Sequence, residues 1–321
     1  MKSLKPLSIY LHIPFCEKRC PYCDFHSSVG GDIGKYIERI CEDIKNPRRF
    51  ATPPLQKVNT IYIGGGTPSL LSELQVEELF KTLRANFNVD KDAEISIECN
   101  PCSLTESKLQ AYRRVGINRV SIGVQSFCDK GLKVLGRLHD VKKAKTAIKL
   151  ACKYFDNVSI DLMHSVPGVK PKLPRKYLKM VQHVSAYCLT SDKYPQIDDK
   201  QSIKQQTKIE RVLKKCGLEK YEVSNFAKKG YECRHNLVYW ECGEWLGIGE
   251  GAESHLGEWQ TADKVMLGLR LVRGVPVEWL CDKQGIVDDF VERGLLQIQD
   301  GRVSCTAGGF LVLNQILIEL C

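Results

Sequence analysis

Strand patterns and helix patterns alternate along the first two thirds of the chain. Six β-branched runs occur, at residues 7–13, 58–63, 95–99, 117–124, 157–163 and 183–190. Helical patterns fall between them, at about residues 33–46, 73–86, 105–114 and 141–153. Because alternating strands and helices build parallel sheets with right-handed crossovers, the pattern predicts an α/β fold, as an open sheet or as part of a barrel.

Two helix boundaries in this region carry their own sequence signals. Ser72 and Gln75 have the spacing of a capping box, and Gly116 stands where a C-cap glycine belongs. In both possible architectures function lies at the carboxyl ends of the strands. Residues that directly follow the predicted strands are therefore the candidates for a functional site.

The pattern changes near residue 256, which predicts a second, smaller domain. The segment 256–321 is mainly helical, with a hairpin pattern in the terminal sequence QIQDGRVSC. We therefore expect a core domain over residues 1–255 and a small C-terminal domain over residues 256–321.

Cysteine usage and charge limit the setting of the protein. The 321 residues include 15 cysteines, an odd number spread from Cys16 to Cys321, which argues against a disulfide framework and predicts a cytoplasmic location. No apolar run is long enough for a signal peptide or a membrane span. The net charge of +9 is interpreted as a solvated, mildly basic surface, with attraction to propionates, anionic lipid or an acidic partner as the alternative. No nucleic-acid partner is expected.

A compact cysteine cluster follows the first predicted strand. Cys16, Cys20 and Cys23 are spaced CxxxCxxC in IPFCEKRCPYCDF, and no fourth cysteine lies nearby in the sequence. Three thiolates on one loop suit a [4Fe-4S] cluster with one iron left open. Zinc is the alternative, with His26 as a fourth ligand, because a closed structural zinc site needs four ligands.

A glycine run follows the second predicted strand. Gly64, Gly65, Gly66 and Thr67 can bring their backbone close to a ligand, with N–H groups facing its carboxylate. An ordinary tight turn is the alternative for such a tripeptide. Its place one strand after the cysteine loop favours a ligand site.

The combination of motifs resembles the radical S-adenosylmethionine (SAM) superfamily. The matching segments are YLHIPFCEKRCPYCDF, IGGGTPSLL, IECNP, RVSIGVQSF, LGRLHD, DLMHSVPG and HNLVYW. They are similar to the coproporphyrinogen III oxidase-like branch over nearly the whole chain. The resemblance implies a partial (β/α)6 barrel of TIM type, and a cluster whose open iron binds SAM. In this superfamily an electron from the cluster cleaves the sulfonium to methionine and a 5′-deoxyadenosyl radical.

The resemblance also implies the SAM-binding side chains. The methionine part is expected at Gly65, Gly66 and Thr67, with Tyr10 beside the cofactor. The remaining cofactor-binding residues implied by the family positions are Glu98, Gln125, Arg137 and Asp161. An internal salt bridge, such as Arg137 with Asp161, is the structural alternative, since buried charges need partners.

Two positions separate the dehydrogenases of this branch from its haem chaperones. The dehydrogenases carry a further cysteine two residues after the third cluster cysteine, and this chain has Phe25 there. The motif HNLVYW at 235–240 is associated with haem binding in the chaperones, which makes His235 the candidate iron ligand. A satisfied buried histidine is the ordinary alternative.

We therefore expect a haem chaperone that binds a [4Fe-4S] cluster, SAM and haem, and that passes haem to a membrane or respiratory acceptor. A low-potential electron donor is implied as a further partner. The enzyme alternative is an oxygen-independent coproporphyrinogen III dehydrogenase, and a third is a zinc-stabilised binding protein that lost the chemistry.

Three departures from the family pattern concern the haem or substrate pocket. The family's GxGAHS is replaced by residues 249–255, so the histidine is displaced to His255. Asp192 and Lys193 stand where a Glu-Pro pair is usual, in a short loop, and Val169 and Lys170 replace a polar pair.

Overall fold

The structure is a computed structural model that describes residues 5–46 and 56–321. Its strands in chain order are β1 (Leu7–Ile13), β2 (Phe15–Cys16), β3 (Ser28–Val29), β4 (Lys57–Gly65), β5 (Asn88–Cys99), β6 (Arg119–Gln125), β7 (Asn157–His164), β8 (His183–Cys188), β9 (Glu219–Lys220), β10 (Asn225–Ala227), β11 (Glu244–Ile248), β12 (Val275–Pro276), β13 (Leu296–Gln299) and β14 (Arg302–Cys305).

The helices in chain order are α1 (Ile33–Lys45), α2 (Glu73–Asn86), α3 (Glu106–Arg114), α4 (Asp129–Val134), α5 (Val141–Tyr154), α6 (Arg175–Met180), α7 (Asp199–Lys214), α8 (Arg234–Trp240), α9 (Thr261–Gly268), α10 (Gln284–Glu292), α11 (Ala307–Leu311) and α12 (Leu313–Leu320). Short 3-10 segments occur at Pro68–Leu70 and Val277–Lys283. None of the described helices is long and apolar enough to cross a membrane.

A nine-stranded sheet forms the main body, in the order β11-β1-β4-β5-β6-β7-β8-β10-β9. The strands β1, β4, β5, β6, β7 and β8 are the six predicted runs, and each pairs parallel to the next. The predicted α/β class with a parallel sheet is therefore confirmed.

Three further strands extend the sheet beyond the prediction. The strand β11 pairs parallel with β1, so that Leu7 opposes Glu244 and Leu11 opposes Ile248. At the other edge β10 pairs antiparallel with β8, and β9 pairs antiparallel with β10. These strands have two to five residues, which is too short for a clear periodicity in the sequence.

The parallel strands are rich in apolar residues because most of their residues are buried. In β1 every residue except Tyr10 is buried, because helices cover one face and packed side chains cover the other. The predicted helix boundaries are also observed. Ser72 and Gln75 make both bonds of a capping box, and Gly116 ends the region of α3 with a φ of +91°.

The C-terminal segment has a hydrophobic core of its own, built from residues between Val265 and Leu320. It contains helices and a three-stranded sheet in the order β12-β14-β13. The predicted hairpin is confirmed, since β13 and β14 pair antiparallel around Asp300 and Gly301. The domain boundary at residues 255 and 256 stays a prediction.

Candidate functional site

The cysteine loop leaves the sheet at the carboxyl end of β1. Its course is fixed by two backbone bonds, from Ser28 N–H to the Pro14 carbonyl at 2.7 Å and from Cys23 N–H to the Cys20 carbonyl at 3.1 Å. The three cluster cysteines are free thiols and half-buried. Burial raises the pKa of the Cys23 thiol, and negative charge on the neighbouring Cys16 and Cys20 raises it further, so a nearby positive charge would favour the thiolate form of Cys23.

A cavity of about 440 Å³ lies at the carboxyl ends of the parallel strands. Ten of the twelve predicted site residues line it, namely Cys16, Cys20, Cys23, Gly65, Gly66, Thr67, Glu98, Gln125, Arg137 and Asp161. These residues come from five different strand ends or from the segments after them. The fold therefore gathers them in one place although they span almost 150 positions of the chain.

Two predicted SAM-binding side chains contact the cysteine loop directly. The Thr67 hydroxyl donates to Cys16 Sγ at 3.5 Å. Arg137 Nη1 lies 3.5 Å from Cys20 Sγ and 3.4 Å from the Tyr22 hydroxyl, while Nη2 donates to the Gly123 carbonyl at 3.0 Å. Both residues therefore stabilise thiolate charge on the loop. The salt-bridge alternative of Arg137 with Asp161 is not among the ion pairs of the described residues.

The glycine run has no room for side chains. A Cβ on Gly65 would lie 2.7 Å from the His12 ring, and Gly65 has a φ of +111°. A Cβ on Gly66 would lie 2.6 Å from the Phe15 carbonyl oxygen, next to Cys16. The run therefore packs the β4 end directly against the start of the cysteine loop.

The N–H groups of this run are used within the protein. Gly66 N–H donates to the Ile13 carbonyl at 2.8 Å, and Gly65 N–H bonds the Glu98 carboxylate. The Gly65 and Gly66 N–H groups therefore have partners within the protein, and contact of the run with the methionine part of SAM stays a prediction. These two bonds join the ends of β1, β4 and β5, which is why the backbone comes so close there.

Two half-buried residues with carboxyl groups, Glu98 and Asp161, lie in the cavity wall. Burial, followed by the nearby Asp161 carboxylate, raises the pKa of Glu98 to about 7, against a bond from the Tyr62 hydroxyl at 2.9 Å. Burial also raises the pKa of Asp161, which accepts a bond from the Ser121 hydroxyl at 3.2 Å. Each carboxyl group can accept hydrogen bonds from ammonium or hydroxyl groups of a ligand.

The ends of β6 and β7 contain unusual backbone conformations. Gln125 has a φ of +62° and Ser165, directly after β7, has a φ of +60°. Such left-handed conformations are costly for residues other than glycine and cluster at functional sites. At Gln125 the pairing of β6 with β7 also shifts register, which turns its side chain into the cavity.

Tyr10 and His235, the other two predicted site residues, do not line the cavity. The Tyr10 hydroxyl bonds His12 Nδ1 at 3.1 Å, and its ring stacks on Tyr62 with centroids 6.3 Å apart. Since Tyr62 does line the cavity, Tyr10 reaches the site through one intervening ring.

His235 is buried, with 1% of its surface exposed, and both ring nitrogens have partners. Nδ1 lies 2.7 Å from the Thr60 hydroxyl and Nε2 lies 2.9 Å from the Tyr239 hydroxyl. Since Thr60 donates its proton to Ser8, the geometry places the imidazole proton on Nδ1, and Tyr239 donates to Nε2. Burial, followed by the charge of Arg119, lowers the pKa of His235 to about 3, so the ring is neutral.

Glu94 fixes the helix that carries the HNLVYW motif. Its carboxylate accepts bonds from the backbone N–H groups of Arg234 and His235, each at 3.0 Å, at the start of α8. A carboxylate at a helix N-terminus satisfies N–H groups that have no partner within the helix. The motif is therefore attached to β4 by His235 and to β5 by Glu94.

The cavity also includes residues that the sequence interpretation did not assign. Arg119 is buried to 2% exposure, lines the cavity and bonds Ser96 at 3.5 Å, with no partner for Nε among the described residues. The sequence signal that could have identified Arg119 is the position of a charged residue at the start of the strand-like run RVSIGV. Other unassigned lining residues are Tyr62, Cys99, Ser121, Tyr187, Cys188 and Asn236. Whether these side chains face the cavity depends on the sheet register and on the packing of α8, and the sequence pattern shows neither.

The zinc alternative involved His26. Its Nε2 lies 3.5 Å from Glu250, and the residue is not part of the cavity wall. In the part of the chain that the structure describes, no three His, Cys, Asp or Glu side chains converge as one metal ion requires. The displaced His255 stacks on Trp259, with ring centroids 3.6 Å apart.

The chain is similar to known proteins at the level of a superfamily and of a family within it. The family model described as the radical SAM superfamily matches residues 10–181, more than half of the chain. Among curated proteins, heme chaperone HemW of Escherichia coli is 39% identical over 271 residues, covering 78% of this chain and 71% of that protein. The chain therefore belongs to the radical SAM superfamily and, within it, to the HemW family.

The similarity to known proteins extends over nearly the whole chain. Heme chaperone HemW of Bacillus subtilis is 30% identical over 371 residues, covering 96% of this chain and 97% of that protein. That span exceeds the 321 residues of this chain because the relative has segments without a counterpart here. The solved structure of coproporphyrinogen III oxidase (HemN) from Escherichia coli has a TM-score of 0.79 at 20% identity, and covers 99% of this chain and 90% of that one. This similarity confirms the predicted fold.

Proposed function

We propose that this protein is a cytoplasmic haem chaperone that holds a [4Fe-4S] cluster and SAM in the cavity and passes haem to an acceptor. The gathering of ten predicted site residues around one cavity carries the cofactor half of this proposal. The names of the relatives, heme chaperone HemW, support the haem half.

In this proposal Cys16, Cys20 and Cys23 ligate three irons of the cluster. The thiols are free, lie on one loop and open into one cavity. The guanidinium of Arg137 and the hydroxyl of Thr67 donate to two of the three sulfurs. Hydrogen bonds to cluster sulfurs set the reduction potential, so these two side chains tune the cluster.

SAM is proposed to lie between the cluster loop and the carboxyl groups of Glu98 and Asp161. Glu98 and Asp161 accept hydrogen bonds from its ammonium and hydroxyl groups, and Gln125 adds an amide from the end of β6. When bound, the cofactor pair supplies one-electron reductive cleavage of the sulfonium. Electrons for this chemistry come from a low-potential donor protein.

The haem half of the proposal keeps His235 as the iron ligand. In the described conformation the Nε2 lone pair accepts a hydrogen bond from the Tyr239 hydroxyl, so ligation of iron requires that this hydrogen bond be broken. The ring is neutral, as an iron ligand must be, because burial lowers its pKa to about 3. Haem binding is therefore coupled to a rearrangement of the HNLVYW helix.

The dehydrogenase alternative has the fold of HemN in its favour. Against it, Phe25 occupies the position of the additional cysteine and is 63% exposed in the wall of the cavity. An apolar ring at this place offers contact area to a porphyrin but no thiol for chemistry.

One experiment separates the two functions. Anaerobically reconstituted protein receives haem in one sample, and coproporphyrinogen III with SAM and reductant in another. We expect a Soret band that His235→Ala removes, and no repeated formation of vinyl groups. Multiple turnovers to protoporphyrinogen IX would contradict the chaperone function, and the absence of any haem complex would contradict the haem half of the proposal.

A further inference from the structure

Nearly all of the excess positive charge of the chain lies in one segment. Residues 141–180 contain ten lysine or arginine residues and two acidic ones, Asp156 and Asp161, a net charge of +8 against +9 for the whole chain. Asp161 faces the cavity, so it does not offset this charge at the surface. The charge is therefore local rather than spread over the molecule.

On α5 the lysines form a stripe. Lys142, Lys145, Lys149 and Lys153 are three or four positions apart and so share one helix face. The opposite face is buried and consists of Ala144, Ala147, Ile148 and Ala151. Like charges at this spacing repel one another and weaken the helix, so folding stability does not explain the stripe.

The short helix α6 lies beside α5 and continues the charged surface. Lys145 Nζ is 5.6 Å from the centre of the Tyr177 ring, and Cys152 Sγ lies 3.8 Å from the Met180 carbonyl. Arg175, Lys176 and Lys179 of α6 are exposed. We call the surface formed by Lys142, Lys145, Lys149, Arg175, Lys176 and Lys179 the basic face.

The charges of the basic face are not neutralised within the protein. Among the ion pairs of the described residues, the lysine stripe contributes one, between Lys153 and Glu106 at 2.8 Å, and α6 contributes none. Six cations thus stand on adjacent helices without a carboxylate in reach. Such a field attracts an anionic surface from solution.

We propose that the basic face docks this protein on the surface of an anionic lipid bilayer. Five of its six cations are lysines, whose flexible ammonium groups suit head groups that can move to meet them. The inference is independent of the haem proposal.

Other anionic partners fit the surface less well. The cores of protein interfaces are depleted in lysine and enriched in aromatic residues and arginine, whereas the aromatic ring between these helices, Tyr177, is covered by Lys145. Nucleic-acid surfaces use arginine forks and exposed aromatic rings for stacking, and the basic face has one arginine.

The test is sedimentation of the full chain with lipid vesicles. Vesicles of phosphatidylcholine alone are compared with vesicles that also contain phosphatidylglycerol, at low and at high salt. We expect binding only to the anionic vesicles, and loss of binding at high salt because salt screens exposed charges. No binding to phosphatidylglycerol vesicles at low salt would overturn the proposal.

Two variants with the same loss of charge locate the surface. The first carries Lys142→Gln, Lys149→Gln, Lys176→Gln and Lys179→Gln, and the control carries Lys200→Gln, Lys204→Gln, Lys208→Gln and Lys214→Gln on α7. All eight side chains are exposed, so both variants are expected to fold, which circular dichroism checks. We expect the vesicle partition coefficient to fall by at least about tenfold in the first variant and to change much less in the control.

Equal losses in the two variants would show that net charge alone drives binding and would overturn the proposed surface. Polyglutamate and a single-stranded oligonucleotide serve as competing partners at the same salt. Tighter binding of either than of the vesicles would assign the basic face to an acidic protein or to a nucleic acid instead of a membrane.

Discussion

Arg137 Nη1 lies 3.5 Å from Cys20 Sγ, although the two residues are 117 positions apart in the chain. The guanidinium is held in this place by the Gly123 carbonyl, which accepts from Nη2 at 3.0 Å. In the chain Arg137 comes after β6, whereas Cys20 comes after β1. The parallel sheet therefore brings a fixed cation against one of the three proposed cluster ligands.

Removal of this cation should lower the reduction potential of the cluster. In Arg137→Gln the reduced, more negative cluster loses a stabilising positive charge, and we expect a decrease on the order of tens of millivolts. Anaerobic redox titration followed by EPR measures the change. Arg293→Gln, at the exposed arginine that follows α10 and pairs with Asp289, is the control and should leave the potential unchanged. An unchanged potential in Arg137→Gln would mean that the guanidinium does not sense the cluster.

Gly66→Ala should impair cluster assembly. Its Cβ would meet the Phe15 carbonyl at 2.6 Å, so the start of the cysteine loop must shift. We expect a loss of about 2 kcal/mol in stability and less iron and sulfide per protein after reconstitution. Gly285→Ala is the matched control, because a Cβ there has nothing within 4 Å. Full cluster content in Gly66→Ala would contradict the tight packing of this loop.

SAM binding should strengthen as the pH rises through about 7. Burial raises the pKa of Glu98 to about 7, so its carboxylate form, the better acceptor, becomes dominant above that pH. Calorimetric titration of SAM at pH 6, 7 and 8 measures this, and we expect up to about tenfold tighter binding across the range. Glu98→Gln should bind more weakly at pH 8 and lose the dependence. Tighter binding at acidic pH would rule out a carboxylate acceptor.

Glu222 should reduce stability above neutral pH. It is fully buried, its Oε2 has no partner among the described residues, and burial raises its pKa from 4.5 to about 7. The folded state thus binds more protons than the unfolded state between these values, so this group's contribution to stability falls as pH rises from about 4.5 to about 7. Glu222→Gln should remove this fall and stabilise the protein at pH 8 by about 3 kcal/mol, since each unit of pKa difference corresponds to about 1.4 kcal/mol. Urea denaturation at pH 5 and pH 8 measures it, with the exposed Glu292→Gln as control.

Tyr239→Phe should increase haem affinity if His235 is the iron ligand. The substitution removes the hydroxyl that occupies Nε2, and a hydrogen bond is worth about 1 kcal/mol, which corresponds to about fivefold in Kd. Soret titration with haem measures the change. Tyr231→Phe, whose hydroxyl has no hydrogen-bond partner among the described residues, is the control. Unchanged affinity in Tyr239→Phe would argue against ligation through Nε2.

The sheet and most of the cavity could be predicted because they depend on local patterns. Each of the six central strands contains a short apolar or β-branched run, and the site residues lie near the carboxyl ends of these strands or in the segments after them. The carboxyl ends of parallel strands meet at one edge, so Cys16, Glu98 and Arg137 were expected to lie together. Family positions then supplied the assignment of each residue.

Other features depend on long-range packing that the sequence does not show. The partners of His235 lie on β4 and α8, and the bonds that occupy the Gly65 and Gly66 N–H groups come from β5 and β1. The strand β11 is short and lies beside β1 although it is more than 200 positions away. The basic face is different, because its charge density is visible in residues 141–180, yet it becomes a surface only when α5 and α6 pack side by side.

The central claim is that the cluster on the cysteine loop has one iron free to bind SAM. EPR spectroscopy of anaerobically reconstituted and reduced protein, recorded before and after addition of SAM, tests it most directly. The account predicts a [4Fe-4S] signal that changes on addition of SAM, and that is absent after replacement of Cys16, Cys20 or Cys23 but retained in Cys41→Ala. A signal that SAM leaves unaltered, or protein without acid-labile sulfide, would contradict the account.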